Sequence, residues 1–220
     1  MILAVTGGKG GVGKSTVSLN LGAELEAVVV DADLAMADLP TARGPDLHDV
    51  LAGRAEPCEA VSSAGSVTVL PCGRTLAGAR ACDLTAFVGA MERVAAEYEH
   101  VVIDCPAGMA ADAGLPLVAA DACLLVTAPR AFALADAVRT RALARRLDAG
   151  LVRAVLNRVV SDPPVETVER TLGAPVTTFP ESETVARAQR HGQPVAAIAP
   201  ESVPAERFAE LGRAVHSCRS

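Results

Sequence analysis

GGKGGVGKST, residues 7–16, follows the short apolar run Ile2 to Thr6 and precedes a segment of helical pattern. Within it, Gly8 to Ser15 fit the spacing G-x-x-x-x-G-K-[ST], and a strand before and a helix after are the context a phosphate-binding loop requires. The glycines let the backbone N–H groups of Gly10, Gly11, Val12 and Gly13 converge on phosphate oxygens. The helix that opens at Lys14, Ser15 and Thr16 adds the partial positive charge of its N-terminus. Lys14 is placed to reach the β- and γ-phosphates of a nucleotide, and Ser15 to offer its hydroxyl to Mg2+. Lys9 and Lys14 are the only lysines of the chain; the other eighteen cationic side chains are arginine.

Outward from the loop, apolar β-rich runs alternate with helical periodicity. Strands are expected at Ile2 to Thr6, Val28 to Ala32, Val67 to Leu70, Val101 to Asp104, Ala122 to Thr127, Val152 to Asn157 and Pro175 to Phe179. Helices are clearest at Leu84 to Tyr98, Leu134 to Leu147, Val165 to Leu172, Glu183 to Arg190 and Ala205 to Val215. This alternation predicts an α/β fold: three layers, doubly wound, a mainly parallel sheet with helices on both faces. With 220 residues, 50% of them hydrophobic and only 2% aromatic, the chain can bury one large core of Val, Leu, Ile and Ala, and a single domain is expected. Six cysteines without a C-x-x-C pair read as buried free thiols. A net charge of −6 disfavours a general nucleic-acid binder. No apolar run reaches the ~18 residues of a membrane span, so a soluble, cytoplasmic protein is expected.

Two strand ends carry carboxylates. "VVVDAD" closes on Asp31 and Asp33, and "VVID" on Asp104. In open α/β sheets ligands bind at the carboxyl ends of the strands, so these side chains can face the phosphate loop. A carboxylate closing a fully apolar strand is costly unless it meets a cation, directly or through water. Asp31, Asp104 and Ser15 are the candidate Mg2+ ligands.

Lys9 is not specified by an ordinary phosphate loop. With it, the stretch resembles the deviant Walker A signature of the MinD/ParA family of P-loop ATPases. The resemblance implies ATP as cofactor with Mg2+, an ATP-dependent homodimer, and a Lys9 that reaches the partner subunit's nucleotide. It implies that Asp33 orients the attacking water and that Asp104 is the Walker B aspartate. The D-x-P-A-G form of residues 104–108 looks more like MinD than like partition ATPases. "LHDVLAG" (47–53) and "LPCGRTLAG" (70–78) are similar to segments of archaeal and bacterial MinD-like proteins. "LNRV" (156–159) with "FPES" (179–182) matches the family's adenine pocket: there Asn157 pairs its amide with the base and the Pro180–Glu181 backbone flanks it.

The chain departs from that pattern in two places. The connection from Lys14 to Asp31 is shorter by roughly a turn and a half. Where the family has Pro-Glu and serines on a partner-binding surface, this chain has Pro129-Arg130-Ala131-Phe132, so a protein partner is expected without an identity. Arg139, Arg141, Arg145 and Arg146 on one helix leave DNA binding possible but not favoured. An ATP-dependent small-molecule enzyme on the same fold is the other alternative. Direct membrane binding is not expected: Phe208, Leu211 and Val215 form a face that docks on the protein's own core, and only four residues follow His216.

Overall fold

The computed structural model describes residues 1–8, 10–34, 39, 44–108 and 111–218, with the backbone alone at 111–113. The chain runs β1 (Ile2–Thr6), α1 (Lys14–Glu24), β2 (Val28–Asp31), α2 (Leu47–Leu51), β3 (Ser62–Ala64), β4 (Val67–Leu70), α3 (Leu76–Ala81), α4 (Phe87–Glu97) and β5 (Val101–Asp104). It continues through α5 (Ala111–Ala119), β6 (Ala122–Thr127), α6 (Ala131–Arg146), β7 (Gly150–Val159), α7 (Val165–Leu172), β8 (Val176–Pro180), α8 (Glu183–Arg190), α9 (Val195–Ile198) and α10 (Val203–Ser217). The strands form one sheet in the order β3-β4-β2-β5-β1-β6-β7-β8. All neighbours are parallel except β3 and β4.

This is the doubly wound sheet that the alternation of patterns predicts. Successive residues of β1 serve opposite faces. Leu3 and Val5 pack with α1, α8, α9 and α10, through Val17, Leu21, Ala188, Val195, Phe208 and Leu211. Ile2 faces the other layer with Phe87, Met91 and Val94 of α4, and Ala4 packs with Leu117 and Ala144. Because both faces are covered there, the central strands β1, β2 and β5 are buried along their whole length rather than alternating. β1 lies between β5 and β6, with β2 to β5 all on one side of it and β6 to β8 on the other, and the crevice at its carboxyl end is where such sheets bind ligands.

Several elements differ from expectation. β3 is a three-residue edge strand of small side chains paired antiparallel to β4, and carries no apolar run to announce it. β7 extends to ten residues, β8 begins one residue later and ends on Pro180, and β2 ends at Asp31. α6 starts at Ala131, three residues before the first periodic leucine. Three of the six cysteines are buried, two are half-buried and Cys218 is exposed; all are free thiols.

The short connection after α1 has a physical solution. Ala27 N–H donates to Gly22 O at 2.8 Å and Glu26 N–H to Ala23 O at 3.4 Å, the two bonds of a Schellman cap. The cap turns the chain straight into β2. It places Glu26 at φ 49, a left-handed conformation that favours glycine. Glu26 is exposed, so Glu26→Gly should stabilise the fold by about 0.5–1 kcal/mol and raise the melting temperature by about 2 °C. Calorimetry checks this, and a lower melting temperature would contradict the cap.

Candidate functional site

The loop between β1 and α1 is shaped by contacts on both flanks. Gly13, the N-cap of α1, has φ 100 and carries no side-chain cap, leaving the first-turn N–H groups directed outward. A methyl group there would run into the Asn157 amide, whose Nδ2 donates to Val12 O at 2.9 Å. On the other side, a methyl at Gly8 would stand 2.8 Å from the Asp136 carbonyl of α6. The loop is thus held between the end of β7 and the start of α6. An open helix N-terminus with glycine amides is a ready anion site.

The carboxylates meet the loop through strand register. Asp31 and Asp104 are paired positions at the carboxyl ends of β2 and β5, and both are buried. Ser18, one turn after Lys14, donates its hydroxyl to Asp104 Oδ1 at 2.9 Å, and Ser15 also hydrogen-bonds the Asp104 carboxyl. Burial pushes the Asp104 pKa up to about 7; Asp31 nearby pushes the same way, and the Ser15 and Ser18 hydroxyls and the Lys14 ammonium oppose it. Each Asp31 oxygen also accepts one bond from the segment that follows β2, from Asp33 N–H and Leu39 N–H, each at 3.2 Å. The set of Asp104, Asp31 and the Ser15 hydroxyl is all hard oxygen with excess negative charge, which fits Mg2+.

A cavity of about 130 Å³ gathers Gly10, Gly11, Gly13, Lys14, Ser15 and Thr16 with Asp33 and Asp104. Beside it lies a second of about 220 Å³, lined by Thr16, Asn157, Arg158, Pro180, Glu181 and Ser182. Asn157 lines the second: besides its bond to Val12, its Oδ1 accepts from Arg158 N–H at 3.0 Å, and one amide hydrogen is left over. Of the residues marked from sequence, Gly10, Gly11, Gly13, Lys14, Ser15, Thr16, Asp33 and Asp104 line the first cavity. Asn157, Pro180 and Glu181 line the second. Gly8, Val12 and Asp31 stand behind the first as supports. Lys9 lies outside the described residues.

Sequence reasoning missed Ser18, Arg158, Gln189 and Asn20. Ser18 had a readable signal, since i,i+4 from Lys14 shares its helix face. Gln189 of α8 borders both cavities. Asn20, buried in α1, donates to Thr16 O and accepts from Val195 N–H, each at 2.7 Å, tying α1 to α9. On α6, Arg139 pairs with Asp136 at 2.7 Å and Arg141 donates to Leu172 O at 3.1 Å, so two of its four arginines are turned to the protein itself.

Residues 1–198 match the ParA family, described as NUBPL iron-transfer P-loop NTPases. An uncharacterised ATP-binding protein of Methanocaldococcus jannaschii is 31% identical over 224 residues, 95% of this chain and 85% of that one. Among solved structures, the cell division ATPase MinD of Pyrococcus furiosus superposes with a TM-score of 0.91 at 29% identity over 98% of both chains. The septum site-determining protein MinD of Pyrococcus horikoshii, complexed with Mg-ADP, gives 0.90 at 28% identity over 97% of this chain and 94% of that one.

The Asp104 environment yields a pH prediction. In the unfolded chain this carboxyl loses its proton near 3.8, in the native state near 7. Between those values the native state binds the extra proton, so its stability falls as pH rises from about 4 to about 7. Asp104→Asn keeps an acceptor for Ser18 and removes the ionisation penalty. Without nucleotide, the variant should melt above the parent at pH 8, with the gap closing by pH 4. A gap independent of pH in differential scanning fluorimetry would refute this.

Proposed function

The chain belongs to the ParA family of P-loop NTPases, and on that premise we propose that it is a MinD-like ATPase, one domain over residues 1–220, working in the cytoplasm. In this reading it binds ATP with Mg2+, dimerises and hydrolyses ATP to ADP and phosphate, switching its hold on a protein partner in spatial positioning or cell organisation. The observation that carries the reading is the meeting, in one cavity, of the loop glycines, Lys14 and Ser15 with Asp33 and Asp104. The Mg-ADP held by the Pyrococcus horikoshii relative supports the nucleotide.

Each group has a role that its position permits. The glycine amides and Lys14 neutralise charge on the phosphate oxygens, more strongly as it grows toward the transition state. Ser15, Asp31 and Asp104 would hold Mg2+, which when bound neutralises the β- and γ-phosphate oxygens. Asp33, at the cavity wall, orients the attacking water. Lys9 acts across the dimer on the partner subunit's nucleotide. ATP favours the closed dimer that holds the protein partner, and the ADP state releases it.

The lysines and Asp33 separate these roles. Lys14→Ala should lose ATP binding in calorimetry. Lys9→Ala should bind ATP but lose turnover by ~10- to 1000-fold, the worth of one preorganised donor. Asp33→Ala should accumulate an ATP-bound dimer in size-exclusion chromatography while phosphate release falls. Equal, mild effects of the two lysine changes, with dimerisation intact, would overturn the role of Lys9 across the interface.

Among the described residues no helix is long and apolar enough to cross a membrane. The apolar face of α10 is committed to the core: Phe208, Leu211 and Val215 are at most 2% exposed. A face so docked is not open to lipid. With ATP and Mg2+ the protein should stay in the supernatant when anionic vesicles are pelleted; ATP-dependent co-sedimentation would contradict this.

A further inference from the structure

Among the described residues three that are not glycine sit at positive φ: Glu26, Asp148 and Arg158. The first two end helices. Glu26 follows α1 in the cap described above, and Asp148 follows α6, where Ala149 N–H donates back to Ala144 O at 3.0 Å. Arg158, at φ 59, has no helix to terminate. It is the extra residue of a bulge in β7: Asn157 pairs with Phe179 and Val159 with Pro180, so Arg158 has no partner across the strand pair.

At the bulge the Arg158 N–H donates to Asn157 Oδ1 at 3.0 Å. On the Arg158 side that bond uses only the backbone N–H, and glycine would make it without the conformational cost an arginine bears at positive φ. The side chain therefore needs a reason of its own, and its position supplies one. Arg158 is exposed, lines both the phosphate cavity and the neighbouring cavity, and among the described residues its side chain has no acid partner. The acids that line the first cavity with it are Asp33 and Asp104.

We propose that Arg158 is a nucleotide-binding residue: the bulge aims its guanidinium across the join of the two cavities onto the α-phosphate and adjoining ribose oxygens of a nucleotide held by its own subunit. The proposal rests on the reading of the site as a nucleotide site. A phosphate in the first cavity and a base in the second put the α-phosphate and ribose between them. A guanidinium is the side chain suited to phosphate oxygens at such a junction. Since the α-phosphate is common to ATP and ADP, Arg158 grips both alike and has no part in the chemical step.

Arg158→Gly and Arg158→Gln test this, with calorimetric Kd values for ADP and for a non-hydrolysable ATP analogue in Mg2+, and melting temperatures without nucleotide. Arg158→Gly should raise the melting temperature by about 1–3 °C, because glycine suits the bulge, and yet weaken both nucleotides by ~10-fold or more. Arg158→Gln keeps the backbone cost and should leave the melting temperature unchanged while weakening both nucleotides alike. Parent-like Kd values in either variant overturn the proposal, as does weakening of the ATP analogue alone. A joint loss of melting temperature and affinity in both variants assigns Arg158 to the fold instead. Should the parent chain bind neither nucleotide, the nucleotide reading fails and the proposal with it; parent binding with unaltered variants removes only Arg158.

Discussion

Asp104 is a carboxylate closing a fully buried strand at the centre of the sheet, with Asp31 beside it in register. Taking charge out of water there costs several kcal/mol unless cations or hydrogen bonds compensate, and two like charges side by side increase the cost. Much of the surrounding structure answers that constraint. Lys14, buried at the head of α1, brings the nearest positive charge, and two serines spaced along the same helix turn their hydroxyls to the carboxyl. Asp31 is satisfied differently, by backbone N–H groups of the segment after β2. A hydrophobic pair at these positions would make a more stable sheet and a useless crevice. The compensation is incomplete without a bound cation, and that deficit is what makes the site attractive to one.

The same constraint explains which parts of the fold could be read in advance. β1, β5 and β6 are buried on both faces, and their apolar runs, rich in Val, Leu and Ile, stand out from loops. α4 and α10 bury one stripe each, so their periodicity is plain. Elements that bury little left little trace. α3 has no buried residue, and β3 is three small residues on an edge. α5 carries Gly114 and Pro116 in its middle, which read as breakers, while its neighbours in the layer supply the packing that holds it. The sequence pattern ends β7 at Asn157, because nothing local announces that a bulge will let the strand resume at Val159.

Legibility of the site divides along the same line between local pattern and tertiary contact. The glycine loop, Lys14 and Ser15 are contiguous, so spacing alone brings them forward. Asp31 and Asp104 were visible as acids at strand ends, but that they face each other is a fact of register, which depends on β2 joining β5 rather than β1. Gln189 has no motif, and Arg158 sits inside LNRV, where only Asn157 carries a reading; the folded chain places both at the border of the two cavities.

Asn157 shows how far such a contact changes a reading. As sequence it is an amide suited to a base. In the folded chain one N–H is already committed to Val12 of the phosphate loop and the carbonyl to the bulge behind it. One donor remains. A single planar amide thus touches the loop that would take phosphates, the bulge that carries Arg158 and the cavity that would take a base. Because the amide is planar, it cannot rotate to suit one of these without disturbing the others. Its contact with Gly13 leaves no room for the loop to move toward it. A group bound in the second cavity would therefore meet the phosphate loop through one rigid amide rather than through a chain of small shifts.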